Sequence, residues 1–586
     1  MSKSLQEQLR ANDEAFARTG HLFGLETLEN KERDPGTYEG MWHVLSNMCN
    51  IAWETGCKVS SSPIAVEGGD ALWALNLPTG EAVCVSRGIT AHVSLLADMV
   101  RSFIELGYED YPGFKQGDIF ENNDPHFGGI HSPDFDSAMP IFYGDTLVAW
   151  ATAVSHVSDC GSVTPGSVGF LNPDCYSDGL CISMEKVGEN DSFYPWYDMR
   201  IRSRTRTPDF VLGDARGRLA GCVTIRERVT AVIDKYGLDF FMAATREYVE
   251  DSRRYAVGRV ASQTVPGRAR KSQFKDLAMK DKHTILGKQD VDCLFNLPME
   301  VEIKADASVN FSLRGASGTV PFGENISPMA LRSGLLNGYS HLIGFDMFNS
   351  GPASAWTVET PPDGSWANPF EKDYSASSGV AWAPSVIWMS NLYEMFGRLF
   401  QMRGFVEEMA AGAATTMTAE FAGITQLGYY LAGLTLEQAS NGSPARGLWR
   451  RREQRLVHLH AQRRLRQRRG HRALLPDPVP RPERRTRLGW LRPLPRWPRA
   501  HGRLDGAQHP VGDRLPVRRR RHALPDGGEP RHVRRLPDLD RHAELRARDE
   551  RQGARRGTPA ARARAGAGRA TPHLRQHLGR RARDRG

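Results

Sequence analysis

The chain has 586 residues and a formal net charge of +9, but that total joins two unlike parts. Residues 1–445 carry 36 Lys+Arg against 55 Asp+Glu, a net of −19; from Arg446 to Gly586 there are 41 Arg, no Lys and 13 Asp+Glu, a net of +28. The basic total therefore describes no single surface, and it does not point to nucleic acid as a partner. No run approaches the roughly 18 apolar residues of a membrane span, and the N-terminus lacks an apolar leader core. All eight cysteines lie between Cys49 and Cys293 with no C-x-x-C pair and no spacing that suggests a disulfide or zinc-ribbon framework, which leads us to expect a reducing cytoplasm and no membrane.

In chain order, residues 4–17 read as a polar helix. Over 37–55, Met41, Leu45, Met48, Ile51 and Ala52 recur at intervals of three and four, which predicts an amphipathic helix. Residues 71–75 and 81–86 read as short strands about Pro78-Thr79-Gly80, and 89–106 returns to helical spacing. The segment 111–162 is mostly strand and loop. GDIFENNDPHFGGIHSPD gives a short strand and a long Gly/Asn/Pro loop, and a hairpin of 135–143 and 146–156 turns at Gly144-Asp145. Arg200, Arg202, Arg204 and Arg206 alternate, so an extended strand would place all four on one solvated or acid-paired edge.

Thr207-Pro208 supplies an N-cap and N1 proline for a helix to about Tyr236, and a second helix covers 238–261. Residues 296–320 alternate like antiparallel strands; 327–347 and 384–435 read as helical. FGENISP (322–328) and FNSGPASAWTVETPPDGSWANP (348–369) read as structural turns. The expected fold class is α+β, multi-domain, with mixed sheets and helical segments. Its divisions are an N-terminal α/β region (1–110), a β-rich metal-loop and hairpin region (111–195), a helical region (196–285), an α+β region (286–445) and an unstructured Arg-rich tail (446–586).

The tail contains no Lys, Ile, Phe, Tyr, Met, Asn, Ser or Cys, so little is available to pack a core. An Arg-rich arm for acidic partners is one reading. The missing residue types are largely those with AT-rich or mixed codons, however, which fits a GC-rich gene translated out of frame. Residues 446–458 can be encoded so that the frame one base later reads VGFGAAANSDSF. Sequencing the gene across codon 446 is expected to show a displaced frame; an intact frame through Gly586 would overturn this reading.

The densest set of possible ligands is Asp124, His126, His131, Asp134, Asp136, His156 and Asp159, seven within 36 residues. A two-residue turn at Gly144-Asp145 sets Pro133 opposite His156, with His131 on the same face; a three-residue turn sets Asp134 opposite His156. Gathering all three requires a bulge, expected near Pro133, where proline is tolerated. Two imidazoles and a carboxylate with open positions suit a first-row divalent ion such as Mn, Fe or Zn. His and Asp in such loops also cap turns, a role that Asp124 and His126 fit best. His126 and Asp159 are the candidates for a general base. No phosphate-binding loop is present: Leu286-Gly287-Lys288-Gln289 lacks the upstream glycine and the Ser/Thr.

GDIFENNDPHFGGIHSPDFDSAMPIF, LVAWATAVSHVSDCGSVTPGSVGF and YSDGLCISMEKVGEND resemble the B-type subunits of the hydantoinase/oxoprolinase superfamily. TPDFVLGDARGRLAGCVTIRERVTAVIDKYG and EDSRRYAVGRVASQTVPGRAR are more similar to α-type subunits of acetone and acetophenone carboxylases within it. The resemblance continues with N-S-G at 349–351 and Asn368-Pro369. It implies a metal held by the His and Asp of H-x-x-D and a His ending the next hairpin strand, here His131, Asp134 and His156. It also implies a cofactor pair of a divalent ion (Mn or Zn, with Fe a third choice) and Mg-ATP, the latter on a partner.

The implied chemistry is ketone carboxylation. A hydantoinase A-like ATP-binding subunit phosphorylates bicarbonate and the ketone, a small third subunit completes the assembly, and the metal steadies the enolate as it attacks CO2. Cleavage of a cyclic amide by a hydantoinase or 5-oxoprolinase is the alternative, and a non-catalytic assembly subunit is the alternative of another class. The family pattern continues with a Gly-rich, Asn-containing region where this chain turns to Arg.

Overall fold

The computed structural model describes residues 4–166, 168–284, 287–369, 373–406 and 419–435. The tail from Arg446 lies outside the described residues, as does the stretch 407–418 of the helix expected over 384–435.

The N-terminal helix α1, Leu5–Thr19, opens with a reciprocal cap: Ser4 Oγ accepts from Glu7 N–H while the Glu7 carboxylate accepts from Ser4 N–H. After the short α2, Glu29–Arg33, helix α3, Pro35–Val59, starts at a proline whose missing N–H is no loss in the first turn. It buries Met41, Leu45, Met48 and Ala52, the stripe that the spacing predicts. Helix α4, Val93–Glu105, likewise buries Leu95, Leu96, Met99 and Phe103.

Seven antiparallel strands form the first sheet: β1 Ala71–Asn76, β2 Ala82–Val85, β3 Ile119–Asn122, β4 Asp134–Tyr143, β5 Thr146–His156, β6 Glu185–Glu189 and β7 Ser192–Phe193. Their order is β2-β1-β5-β4-β3-β6-β7. Successive side chains leave on opposite faces. Trp73, Leu75, Phe135, Met139 and Ala151 pack with α3 and the later helices, whereas Leu72, Ala74, Ala138, Trp150 and Val154 pack with α4. Both faces are covered, which explains near-continuous burial along β1, β4 and β5.

Helix α5, Pro195–Arg204, replaces the strand expected for the arginine run. The alternation there is of charge, not of apolar residues, and it is overridden by Pro195 in the first turn and an Asp198–Arg202 pair at i,i+4. The acid pairing itself is present, Arg200 with Glu185 at 2.6 Å and Arg206 with Asp159 at 3.0 Å. Helices α6, Pro208–Tyr236, and α7, Leu238–Gln263, lie close to their expected limits. The Thr207 hydroxyl bonds Ser158 Oγ at 2.6 Å and makes no cap to the helix.

Trp73 fixes the helix–sheet distance. A Cβ on Gly56 would fall 2.1 Å from its ring, and one on Gly221 2.1 Å from its Nε1, while that indole N–H donates to the Arg218 carbonyl at 3.1 Å. Gly221→Ala is therefore expected to destabilise the protein by about 1–3 kcal/mol through overpacking. A lowered denaturant midpoint with an unchanged slope would show it; an unchanged midpoint would contradict the packing.

Asp214 of α6 is fully buried, with Oδ1 accepting from Ser61 and Ser62 N–H at 3.1 and 3.0 Å. Burial pushes its carboxyl up to about 6. The folded state thus binds the proton more tightly than the unfolded chain, so stability falls as pH rises from about 4 and the loss is complete above about pH 6. Asp214→Asn should remove on the order of 3 kcal/mol of that pH dependence, measured as unfolding free energies at pH 3 and pH 8. Equal slopes in variant and parent would refute it.

The second sheet has order β13-β12-β11-β8, built from β8 Gly267–Leu277, β11 Cys293–Ile303, β12 Val309–Ser312 and β13 Trp356–Val358. Two-residue strands β9, His283–Thr284, and β10, Gly287–Lys288, pair between them. The 196–285 region is thus not wholly helical. Strand β8 sits at the sheet edge, with charged pairs Arg268–Glu302 and Arg270–Glu300 directly across the ladder, a composition that guards an edge against further pairing.

Helices α8, Pro328–Leu342, and α9, Trp382–Arg403, cover this sheet, and the α4-side core continues through Leu297, Val301, Phe311, Leu335 and Phe396. The second correction falls on 419–435, where β14 Ala419–Ile424 and β15 Tyr430–Thr435 form a hairpin in place of helix. The motif loops act as the turns expected. Asn325 Nδ2 donates to the carbonyls of Val320, Phe322 and Ser377, and buried Asn349 binds Ser252 Oγ and the Val83, Tyr248 and Gly351 backbone.

Candidate metal centre

Asp134 opens β4 and His156 ends β5, and the two are direct partners across the ladder. The turn has two residues, with Tyr143 opposite Thr146. The register then slips by one between Ile141 and Phe142, so that Ile141 faces Ala149 and Asp134 faces His156. The bulge required to gather the residues is therefore present, but beside the turn and not at Pro133. Strong twist near a tight hairpin favours an extra residue there, and Pro133 instead keeps its carbonyl for Val157 N–H at 2.8 Å.

His131 arrives from the loop after β3. Asn123 holds that loop, donating to the Ser132 and Leu180 carbonyls at 2.7 and 2.8 Å and accepting from Ile182 N–H at 2.6 Å. Gly128 lets the loop lie against α4, since a Cβ there would sit 2.6 Å from the Leu95 carbonyl, and Gly129 lets it fold back on the Asn123 backbone, 2.8 Å from such a Cβ. His131, Asp134 and His156 each offer one ligand atom, all within 4.8 Å of one another, and all three residues are buried. Asp134 Oδ2 is 3.0 Å from His131 Nε2 and Oδ1 is 3.1 Å from His156 Nδ1.

The donor set fits a divalent ion. His131 Nδ1 lies 2.8 Å from the Gly379 carbonyl, which can only accept, so Nδ1 carries a proton and Nε2 is the atom turned to the cluster, where its lone pair would meet an ion. The Gly379 segment is itself tied down through Asp178, which accepts from Asn172 Nδ2, Ser377 Oγ and Ser378 N–H. Burial would raise the Asp134 carboxyl, but the neighbouring imidazoles of His131 and His92 outweigh it and hold the group well below the carboxylate range. Two residues on, burial and then the Asp134 charge push Asp136 well above its ordinary value, so it keeps its proton.

His126 and Asp159 lie outside the three-residue group. His126 Nδ1 is 2.7 Å from Asp124 Oδ1, which also accepts from His126 N–H, and the ring stacks on Tyr374 at 4.1 Å. That is the turn geometry expected for the pair. Asp159 is fully buried in an ion pair with Arg206, and its oxygens also accept from Gly161 and Gly166 N–H. His92, which no sequence pattern singles out, sits at the start of α4 with Nε2 3.5 Å from Asp134 Oδ2. Burial pushes its imidazole below the usual range. It stands far from the ligand loop in sequence, and no motif spacing connects the two.

The chain is similar to the acetone carboxylase alpha subunit of Xanthobacter autotrophicus, 31% identical over 435 residues, covering 74% of this chain and 56% of that protein. The B-type component of a putative D-/L-hydantoinase from a Pseudomonas species is 32% identical over 231 residues, 38% of each chain. Among solved structures, nucleotide-free acetone carboxylase superposes with a TM-score of 0.73 at 29% identity, covering 76% of this chain and 59% of that one. The chain thus spans little more than half the length of its carboxylase relative. The pattern of the Hydantoinase B/oxoprolinase family matches residues 34–454, and the chain belongs to that family.

Proposed function

We propose that this chain is the metal-bearing subunit of a multi-subunit ATP-dependent ketone carboxylase. The observation that supports it most is the 435-residue similarity to an acetone carboxylase subunit. A divalent ion, Mn or Zn ahead of Fe, would be held by His131, Asp134 and His156, and when bound it supplies a Lewis acid for an oxyanion such as an enolate. The chain's own part is to orient and to exclude water: Gly379 fixes the His131 tautomer, the hairpin register sets Asp134 against His156, and burial keeps solvent from the ligand atoms.

Of the two candidate bases, His126 is the better placed for proton transfer, because Asp124 orients its imidazole. Asp159 has both oxygens engaged by Arg206 and backbone N–H groups. ATP with Mg would bind a hydantoinase A-like partner, with a small third subunit completing a cytoplasmic complex that takes ketone and bicarbonate or CO2. No helix among the described residues is long and apolar enough to cross a membrane.

The second reading, ATP-dependent opening of a cyclic amide, is favoured by the similarity to the B-type hydantoinase component. Bicarbonate-dependent ATP turnover by the complex reconstituted with its partner subunits separates the two. Ketone-stimulated turnover is expected; stimulation by hydantoins or oxoproline alone would replace the first reading with the second.

A further inference from the structure

We infer that His92 is a positioning residue for the metal centre, acting through Asp134. This rests on the reading that His131, Asp134 and His156 hold a divalent ion. His92 is 3% exposed, and its Nε2 faces Asp134 Oδ2 at 3.5 Å. Its Nδ1 has no hydrogen-bond partner among the described residues. A buried ring nitrogen without a partner is costly, and the cost is smaller for a bare lone pair than for a stranded N–H. The proton therefore belongs on Nε2, the nitrogen with an acceptor in front of it.

His92 is thus the one side-chain donor facing Asp134, among the described residues, that is not itself in the ligand group. A donor on a ligating carboxylate holds its orientation and limits which oxygen is offered to the ion. The surroundings hold the donor still. Thr90 Oγ1 bonds Asn337 Oδ1 at 2.6 Å, Ile89 N–H reaches the Ala71 carbonyl at 3.4 Å, and Val93, Leu95 and Leu96 of α4 are fully buried. The loop that delivers His131 packs on the same helix through Gly128. One rigid element therefore places both His92 and the ligand loop against Asp134.

The test is Mn2+ binding to the full chain, read as free Mn2+ by electron paramagnetic resonance, for the parent, His92→Phe, His92→Met and His92→Gln. Phe and Met fill the site without a donor; the Gln amide restores one. Mn2+ affinity is expected to fall about 10–100-fold in the Phe and Met variants and to stay within about threefold of the parent in Gln. Melting of the metal-free proteins separates folding from binding, and either donorless variant suffices if the other fails to fold. Parent-like affinity in a folded donorless variant overturns the role of His92 and leaves the metal site standing. If the parent does not bind Mn2+, or binds it no better than Asp134→Asn, the metal reading itself fails. A third coordinated imidazole in the 15N-histidine spectrum of the Mn2+-bound parent would make His92 a ligand and overturn the positioning role.

Discussion

Asp134→Asn should cost on the order of 100-fold or more in divalent-ion affinity, and with it any activity that depends on the ion. The carboxylate lies between His131 Nε2 and His156 Nδ1 at 3.0 and 3.1 Å in a buried pocket. It is the one anion in the three-residue ligand group. An amide preserves the shape but removes the charge that compensates a buried dication. Because the parent carboxyl is held well below its ordinary value, its own contribution to stability is present above about pH 4 and is lost as acid protonates it. The variant should lack that acid limb. Equilibrium dialysis at neutral pH checks the affinity; an affinity equal to the parent's would remove Asp134 from the site.

The largest effect on folding is expected from Arg218→Met. On the face of the first sheet opposite the metal site, Arg218 of α6 is completely buried and binds Glu121 Oε1 at 2.6 Å, Ser137 Oγ at 2.9 Å and Ser155 Oγ at 2.8 Å. Tyr197 bonds the other Glu121 oxygen. Removing the cation leaves Glu121 charged, fully buried and uncompensated, a loss of about 3–5 kcal/mol. Replacing both partners is far milder, because the desolvation penalties of the two charges disappear together. Denaturant titration of Arg218→Met and of the Glu121→Gln, Arg218→Met pair is expected to show the double variant as the more stable of the two. With Glu121→Gln measured alone as well, a double variant as unstable as the sum of both single changes would mean that Arg218 and Glu121 are energetically uncoupled, and would contradict the pair.

These residues also show how far the sequence can be read. The hairpin and its metal-ligand candidates were legible because two largely apolar runs flank a Gly-Asp turn and the loop before them is dense in His and Asp. The site of the bulge was not, since the choice between Ile141/Phe142 and Pro133 depends on local twist that no residue type marks. Strand β8 was missed for a different reason: as an edge strand it buries little beyond Ala269 and Leu277, so GRARKSQFKDL carries almost no apolar period. The arginine run misled because like charges at period two look extended while Pro195 and Asp198 specify a helix turn.

Arg218 left a readable trace. Val211, Ala215, Cys222, Ile225 and Val229 form the buried stripe of α6, and Arg218 falls in that stripe at helical spacing. A lone charge there implies a buried acid partner, although sequence cannot say that the partner is Glu121. His92 left no comparable mark. Its relation to Asp134 exists only because α4 lies across the sheet at the ends of β4 and β5.

X-ray absorption at the metal edge, on the protein purified with its partner subunits, tests the metal centre most directly. One divalent ion per chain is expected, with two imidazole nitrogens and carboxylate oxygen in its coordination shell, and His131→Ala should abolish that spectrum. A metal-free chain, or a metal whose spectrum is unchanged by His131→Ala, would contradict the assignment of His131, Asp134 and His156.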